Sequence, residues 1–314
     1  MMQDKPFVQI DQLSRNFESN VAVDHLTFNV NQGELFGLVG PDGAGKTTTL
    51  RMLAGVLRPT SGDAMIGGFS VVHDSERVKH EIAYMSQRFG LYHDLTVLEN
   101  LIFYADLYQV SRAERGARME RLFSFSNLKP FKDRLAGQLS GGMKQKLGLS
   151  CALIHQPKLL LLDEPTFGVD PISRRDLWLF VHDMVAGGVT AIISTAYMDE
   201  AERFDRVVLL QEGRILTMDS PEAMQKGLEG EVIKLKVENV REARTIIEKL
   251  PQARRVAIFG ERLHITVKSF EESGPEIEAV LRQAGIPILD QRVSVPTMED
   301  VFIDHVEKMK KKNA

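Results

Sequence analysis

The chain opens on two stretches in which apolar and polar residues alternate, PFVQIDQL (6–13) and VAVDHLTFNV (21–30). Side chains on a strand point alternately to opposite faces, so this pattern predicts strands buried on one side only. ELFGLVG (34–40) is continuously apolar and predicts a buried strand, followed by a glycine-rich loop and a helix. From about Arg88 to Gln138 the spacing turns helical. Thr96 and Glu99 form a capping box before ENLIFYADLY, and the charged RAERGARMERLF follows, which predicts an inserted helical unit. KLLLLDEP, RRDLWLFVHDMV, TAIIST and RVVLLQEGRI then alternate buried strands with helix, the pattern of a mainly parallel sheet covered on both faces.

A boundary is expected near Ser220 and Pro221. Beyond it VIKLKV, VREARTIIEKL, RRVAIF, RLHITVK, PEIEAVLRQAG and ILDQRVSV read strand, helix, strand, strand, helix, strand, with Gly260 between the central pair. That order predicts a small ferredoxin-like α+β domain. The expected organisation is an α/β domain over 1–220, its helical unit at about 88–138, and an accessory domain over 221–314. The accessory domain holds no cluster of catalytic residue types, which favours dimerisation or regulation over a second active site. The final KMKKKNA reads as a solvated, frayed end, with attraction to anionic lipid as the alternative.

With 314 residues, 43% of them hydrophobic, the chain can bury a large core and suits about two domains. A net charge of -4 gives no electrostatic ground for nucleic acid as partner. The single Cys151 excludes an internal disulfide framework and reads as a small buried hydrophobe. MMQDKPFVQID carries an acid and no apolar core, so no secretory signal is expected there. No uncharged apolar run reaches the roughly 18 residues of a membrane span, so any span is expected from another chain.

GPDGAGKTT, from Gly40 to Thr48, fits G-x-x-x-x-G-K-[ST] between a predicted strand and a predicted helix, the context in which that motif binds phosphate. Gly40, Pro41, Asp42, Gly43, Ala44 and Gly45 form a loop whose backbone N–H groups turn inward around phosphate oxygens, and Thr48 extends it into the helix. Lys46 supplies a charge to the β- and γ-phosphates and Thr47 a hydroxyl to Mg2+. LLLLDEP ends a strand in Asp163, placed as a second metal ligand, and Glu164, placed to polarise a water for attack on phosphorus. LSGGMKQK (139–146) sets Ser140, Gly141 and Gly142 just before a helix, a second anion-binding terminus. One nucleotide needs one such terminus, so two suggest ATP held between two protein surfaces.

Over about residues 6–220 these motifs, in this order, resemble the nucleotide-binding subunit of ABC transporters. The resemblance implies a P-loop NTPase core of the ABC ATPase type with an inserted helical subdomain, binding and hydrolysing ATP with Mg2+. It implies that Leu139 to Met143 form the signature that meets ATP on the opposite subunit of a head-to-tail dimer. Gln87, in YMSQ, matches the segment linking metal and attacking water to the helical unit. Phe17 aligns with the aromatic that stacks on adenine, and Asp170, in Gly168-Val169-Asp170, with the loop that crosses the dimer. The tail PTMEDVFIDH and the added domain resemble ATPase subunits of drug-resistance and ABC-2 type exporters, which implies separate integral membrane permease subunits and a peripheral place on the cytoplasmic face of the inner or plasma membrane.

One position departs from the family. Where the family has histidine in a phrase like STHYMDEAE, this chain reads STAYMDEAE, with Ala196. A methyl group cannot donate to the γ-phosphate, and losing a positioned acid or base costs about 10² to 10⁴ in rate. The preferred expectation is a heterodimer whose other ATPase subunit carries the histidine. The alternatives are a slow homodimer, a weakly hydrolysing ATP-gated clamp, and a soluble ABC ATPase acting away from membranes.

Overall fold

The computed structural model describes residues 6–87 and 90–313, which fall into two compact units, Met1–Met218 and Asp219–Ala314. In the first unit, β1 (Val8–Phe17) and β2 (Asn20–Val30) pair as an antiparallel hairpin, and β3 (Leu35–Val39), buried throughout, leads through the glycine loop into α1 (Lys46–Leu53). The chain continues through β4 (Ser61–Ile66), β5 (Phe69–Ser70), α2 (Ser75–Glu81) and β6 (Ile82–Met85). Helices α3 (Val97–Leu107), α4 (Arg112–Ser126) and α5 (Gly141–Leu153) follow, then β7 (Leu159–Asp163), α6 (Pro171–Ala186), β8 (Thr190–Thr195), β9 (Arg206–Gln211) and β10 (Arg214–Asp219).

These strands make two sheets. A six-stranded sheet, order β10-β9-β3-β8-β7-β6, is parallel from β9 to β6. The opening hairpin belongs to a separate four-stranded antiparallel sheet, order β2-β1-β4-β5, whose last two strands the hydrophobic pattern did not reveal. SGDAMI lacks a clean alternation; its pairing comes from β1, about fifty residues earlier in the chain, through Val8↔Ile66 and Ile10↔Ala64. α1 lies in one core with both sheets: Leu50 and Leu53 join Val8, Ile10 and Val23 from one sheet and Phe36, Leu161, Ile192 and Val208 from the other. Phe28 stacks on Phe36 at 5.3 Å, tying β2 to β3.

Arg88, from about which the helical unit is expected, lies outside the described residues; the first helix of that unit starts at Val97, where the Thr96–Glu99 capping box is formed from both sides. Its two ends are closed on each other by a bridge between Thr96 and Leu135 and by Ala136 N donating to Leu95 O. α5 packs against α3, α4, α6 and β6, so it joins the helical insertion to the sheet that carries the nucleotide motifs.

The second unit starts with α7 (Pro221–Lys226), capped by Ser220, followed by β11 (Glu231–Val237), α8 (Val240–Ile247), β12 (Arg255–Phe259), β13 (Arg262–Val267), α9 (Phe270–Gln283) and β14 (Ile288–Ser294). Its sheet runs β12-β13-β11-β14, the arrangement a split βαβ repeat produces, with α8 and α9 packed over Ile233, Leu235 and Ile265. α9 starts five residues before the expected PEIEAVLRQAG, and Pro275 lies inside it.

The tail also departs from expectation. It forms α10 (Met298–Asn313), a helix that runs through most of KMKKKNA instead of fraying. Strand alternation explains its seat: Leu263 and Ile265 face α8 and α9, which turns His264 to the opposite face. There the Asp300 carboxylate of α10 holds the His264 Nδ1 at 2.9 Å, and Arg255 donates to Asp300 O at 2.9 Å and pairs with Asp304.

Candidate functional site

The glycine loop joins the carboxyl end of β3 to α1, where the first N–H groups of a helix have no carbonyl partners within it. Gly45 has φ +97°, and a Cβ there would sit 2.6 Å from Ala22 O, so both conformation and space require glycine. Lys46 is buried, and its Nζ donates to Gly40 O at 2.8 Å and Pro41 O at 3.0 Å. The same ammonium lies 3.2 Å from Glu164 Oε1. Asp42, Gly43, Ala44, Gly45, Thr47 and Thr48 line the cleft of about 510 Å³ that opens at this loop.

Parallel pairing brings β7 and β8 to the same edge, with Asp163 opposite Ser194. Asp163 is buried, and its Oδ1 accepts from Thr47 Oγ1 at 3.0 Å and from Ser194 Oγ at 2.7 Å. Glu164, one residue past the strand, has φ +48°, a left-handed conformation uncommon for a residue with a side chain. The Glu164 N–H donates to Ser194 Oγ at 3.0 Å, which holds that turn. Its carboxylate is thereby aimed into the cleft between the Lys46 ammonium and Gln87, whose Nε2 donates to Glu164 Oε2 at 3.2 Å. Tyr84 on β6 stands nearby; burial, and then the charge of Asp163, raise its phenol above the ordinary value and keep it neutral.

Phe17 is 42% exposed on the cleft wall with Asn20, Val21 and Ala22, which takes it out of the core. The Arg15 guanidinium lies 4.6 Å from its ring centroid. The other predicted contacts lie elsewhere. Leu139 to Met143 do not line this cleft; Ser140 caps α5, accepting from Met143 N at 3.3 Å. Asp170 caps α6, accepting from Ile172 N at 3.1 Å and Ser173 N at 3.0 Å, and the Ser173 N–H holds its carboxyl below the usual range. The two helix starts touch: a Cβ on Gly142 would lie 2.2 Å from Ser173 Oγ.

Ala196 follows β8 directly, next to the glycine loop, since Gly40 N donates to Thr195 O at 3.2 Å. The two strand-end hydroxyls before it are committed. Ser194 serves Asp163 and Glu164, while Thr195 Oγ1 donates to the buried Glu200 at 2.5 Å and accepts from Tyr197 N at 3.0 Å. Glu200 in turn receives Arg174 Nε at 2.6 Å and Trp178 Nε1 at 3.2 Å. In the sequence Ser194 reads as a strand-end hydroxyl that only satisfies backbone groups, and the wall residues Asn20, Val21, Ala22 and Glu212 were missed. Ser194 had a signal, because two parallel strands ending at one level set their last residues side by side; the wall residues had none.

A parallel sheet with a phosphate loop at its edge, a carboxylate pair on the neighbouring strand and a helical insertion define a P-loop ATPase of the ABC class. The family profile described as ABC transporter matches residues 23–167, and that of the DrrA1-3-like ATP-binding protein C-terminal domain matches 220–306. The chain is 51% identical over 209 residues to the probable multidrug ABC transporter ATP-binding protein YbhF of Escherichia coli, a match covering 67% of this chain and 36% of that protein. It thus spans little more than a third of that relative's length. Nod factor export ATP-binding protein I of Burkholderia pseudomallei is 37% identical over 215 residues, covering 68% of this chain and 71% of that protein. A solved ATP-binding subunit of an ABC transporter superposes with TM-score 0.64 at 30% identity, over 70% of this chain and 92% of the other. The Clostridium perfringens protein cbiO1 shares the fold, with TM-score 0.66 and 23% identity over 78% of this chain and 96% of its own. The chain belongs to the ABC transporter ATP-binding family.

Proposed function

We propose that this chain is the ATP-hydrolysing subunit of a membrane exporter, closing over Mg2+ and ATP at an interface with a second ATPase subunit. The observation that carries this reading is the separation of the two phosphate-binding helix starts. Lys46 at α1 lines the cleft, whereas Ser140 at α5 does not, so Ser140 to Gly142 are left to serve a nucleotide on another subunit.

In this reading the N–H groups of Gly43 to Thr48 and the Lys46 ammonium bind the phosphates, and Phe17 supplies an apolar face to the base. Mg2+ favours hard oxygen ligands and takes only one or two from protein, which fits the Thr47 hydroxyl and the Asp163 carboxylate meeting at 3.0 Å. When bound, the metal neutralises charge on the phosphates. Glu164, fixed by its turn against Ser194, accepts a proton from the attacking water, and Gln87 orients the carboxylate. Ala196 supplies no donor, and the neighbouring Ser194 and Thr195 hydroxyls are engaged elsewhere, which favours an unlike partner that carries the missing group. ATP contacts would stabilise the closed pair and hydrolysis would remove them, with α3 and α4 passing the motion to permease subunits of the ABC-2 type.

Among the described residues no helix is long and apolar enough to cross a membrane, which suits a peripheral subunit on the cytoplasmic face. Export as the direction rests on the name of one relative above, the Nod factor export ATP-binding protein. Glu164→Gln in the assembled complex should keep ATP bound while hydrolysis falls about 10² to 10⁴-fold. Unchanged hydrolysis overturns the role of Glu164, and co-purification with ribosomes or nucleic acid in place of membrane subunits overturns the exporter. A second reading, an ATP-gated clamp with little turnover of its own, is favoured by Ala196 alone.

A further inference from the structure

The second unit leaves one long strand edge unpaired. β14 is the last strand of the order β12-β13-β11-β14, and among the described residues its only neighbour there is β11. An open edge presents a row of N–H and C=O groups to any strand that can approach it. It carries two exposed apolar side chains, Leu289 at 55% and Val293 at 46%, with Val295 just past the strand at 71%. Proteins usually guard such an edge with charge or a bulge. The bulge is here at Leu289, where the register against β11 slips, but Asp290 to Ser294 stay regularly paired.

The order of charges on that regular stretch selects a partner. Asp290, Gln291 and Arg292 read negative, neutral, positive, and the same three residues read antiparallel give positive, neutral, negative. Two copies of β14 related by a two-fold axis through the sheet must place a residue opposite itself, because opposed residues share a face. An axis at Asp290 would oppose two carboxylates, and one at Arg292 two guanidinium groups. An axis at Gln291 instead sets each Asp290, which also accepts from Arg262 Nη1 at 2.6 Å within its own sheet, against the partner's Arg292.

Gln291 adds an independent observation. Its Nε2 and Oε1 are both buried without a hydrogen-bond partner, a costly arrangement for an amide. Directly opposed side chains on antiparallel strands lie within reach of each other. A primary amide carries both donor and acceptor, so two such groups satisfy one another once each swings from its buried place on the face of Leu235 toward the axis.

We infer that β14 is a homotypic docking edge: a second copy of this chain adds its own β14 antiparallel, centred on Gln291, to give a continuous eight-stranded sheet across two accessory domains. The contact lies on the accessory unit, needs no nucleotide, and leaves the choice of partner at the ATP cleft untouched.

The test uses the full chain without nucleotide, followed by light scattering across a concentration series. The parent should dimerise. Asp290→Lys makes the edge wholly positive and Arg292→Glu wholly negative, so each alone should associate at least about tenfold more weakly. Mixed in equal amounts they should pair again, since each then opposes the other's charge, and recovery also shows that both variants fold. Separately, Gln291→Cys should cross-link to its own copy under mild oxidation, whereas the parent, whose only cysteine is the buried Cys151, should not. A parent that stays monomeric, single variants that dimerise like the parent, a mixture that stays monomeric, or a Gln291→Cys chain that does not cross-link overturns the inference.

Discussion

Two side chains that carry no reaction step decide how the site is built. Ser194 holds the Asp163 carboxylate and the Glu164 N–H at once, and Glu164 keeps its left-handed turn against that hydroxyl. Ser194→Ala should lower the ATPase rate by about 10- to 100-fold, because small displacements of a catalytic group are expensive in rate. Stability should fall by only about 1–3 kcal/mol. Steady-state turnover beside a denaturant melt separates the two, and an unchanged rate would remove Ser194 from the positioning of Glu164. Gly142 acts by lacking a side chain. Gly142→Ala would drive a methyl into Ser173, whose Oγ and Cβ lie 2.2 and 2.3 Å from the added atom. A loss of about 1–3 kcal/mol is expected, partly restored by Ser173→Gly, with thermal melting of the single and double variants as the check.

At the scale of elements, the phosphate loop, the carboxylate strand and the capped helices α3, α5 and α6 were legible because each depends on neighbours in sequence. Ser140, Thr96 and Asp170 cap their helices within three residues. β4 was not legible, because its pairing is supplied by β1 across the intervening α1 segment, and the two-residue β5 pairs in turn with β4. α10 was hidden for a related reason. Lys308 in the lysine-rich end is solvated, as the sequence suggests, whereas upstream of it the helix is seated through Met298, Val301 and the buried Asp300. Burial opposes the charge on Asp300, yet the His264 ring and the Thr297 N–H outweigh it and hold its carboxyl below the usual value. Asp300→Ala should destabilise the accessory unit by about 1–3 kcal/mol at neutral pH. A depressed folded-state pKa stabilises above the unfolded value of about 3.9, and that contribution is lost as pH falls through the lower folded value. The difference between parent and variant melts should therefore hold steady near neutrality and shrink below about pH 4. A gap that does not change with pH would show that the Asp300 charge is not what seats α10.

For the whole molecule, the open question is which chain completes the ATP site. If an unlike subunit supplies the donor that Ala196 lacks, the purified chain should hydrolyse ATP slowly. Ala196→His should then raise its rate by about 10²-fold or more. Brisk turnover by the chain alone, indifferent to that substitution, would remove the case for an unlike partner. The measurement belongs with the β14 variants, because a chain that pairs through its accessory unit brings two cassettes into one particle without ATP.

The amino-acid sequence by itself determined the class of the protein and singled out the glycine loop, the carboxylate pair and the proposal that Ala196 stands where a donor belongs, since all of these lie in short motifs whose geometry is local. Tertiary structure alone decided which residues meet. Parallel pairing of β7 with β8 delivers Ser194 to Asp163 and Glu164, and a left-handed turn aims Glu164 at Lys46 and Gln87. Alternation along β13 turns His264 toward Asp300, and the sheet order leaves β14 on an open edge. Contacts between strands far apart in the chain depend on register and sheet order, and no window of residues holds that information.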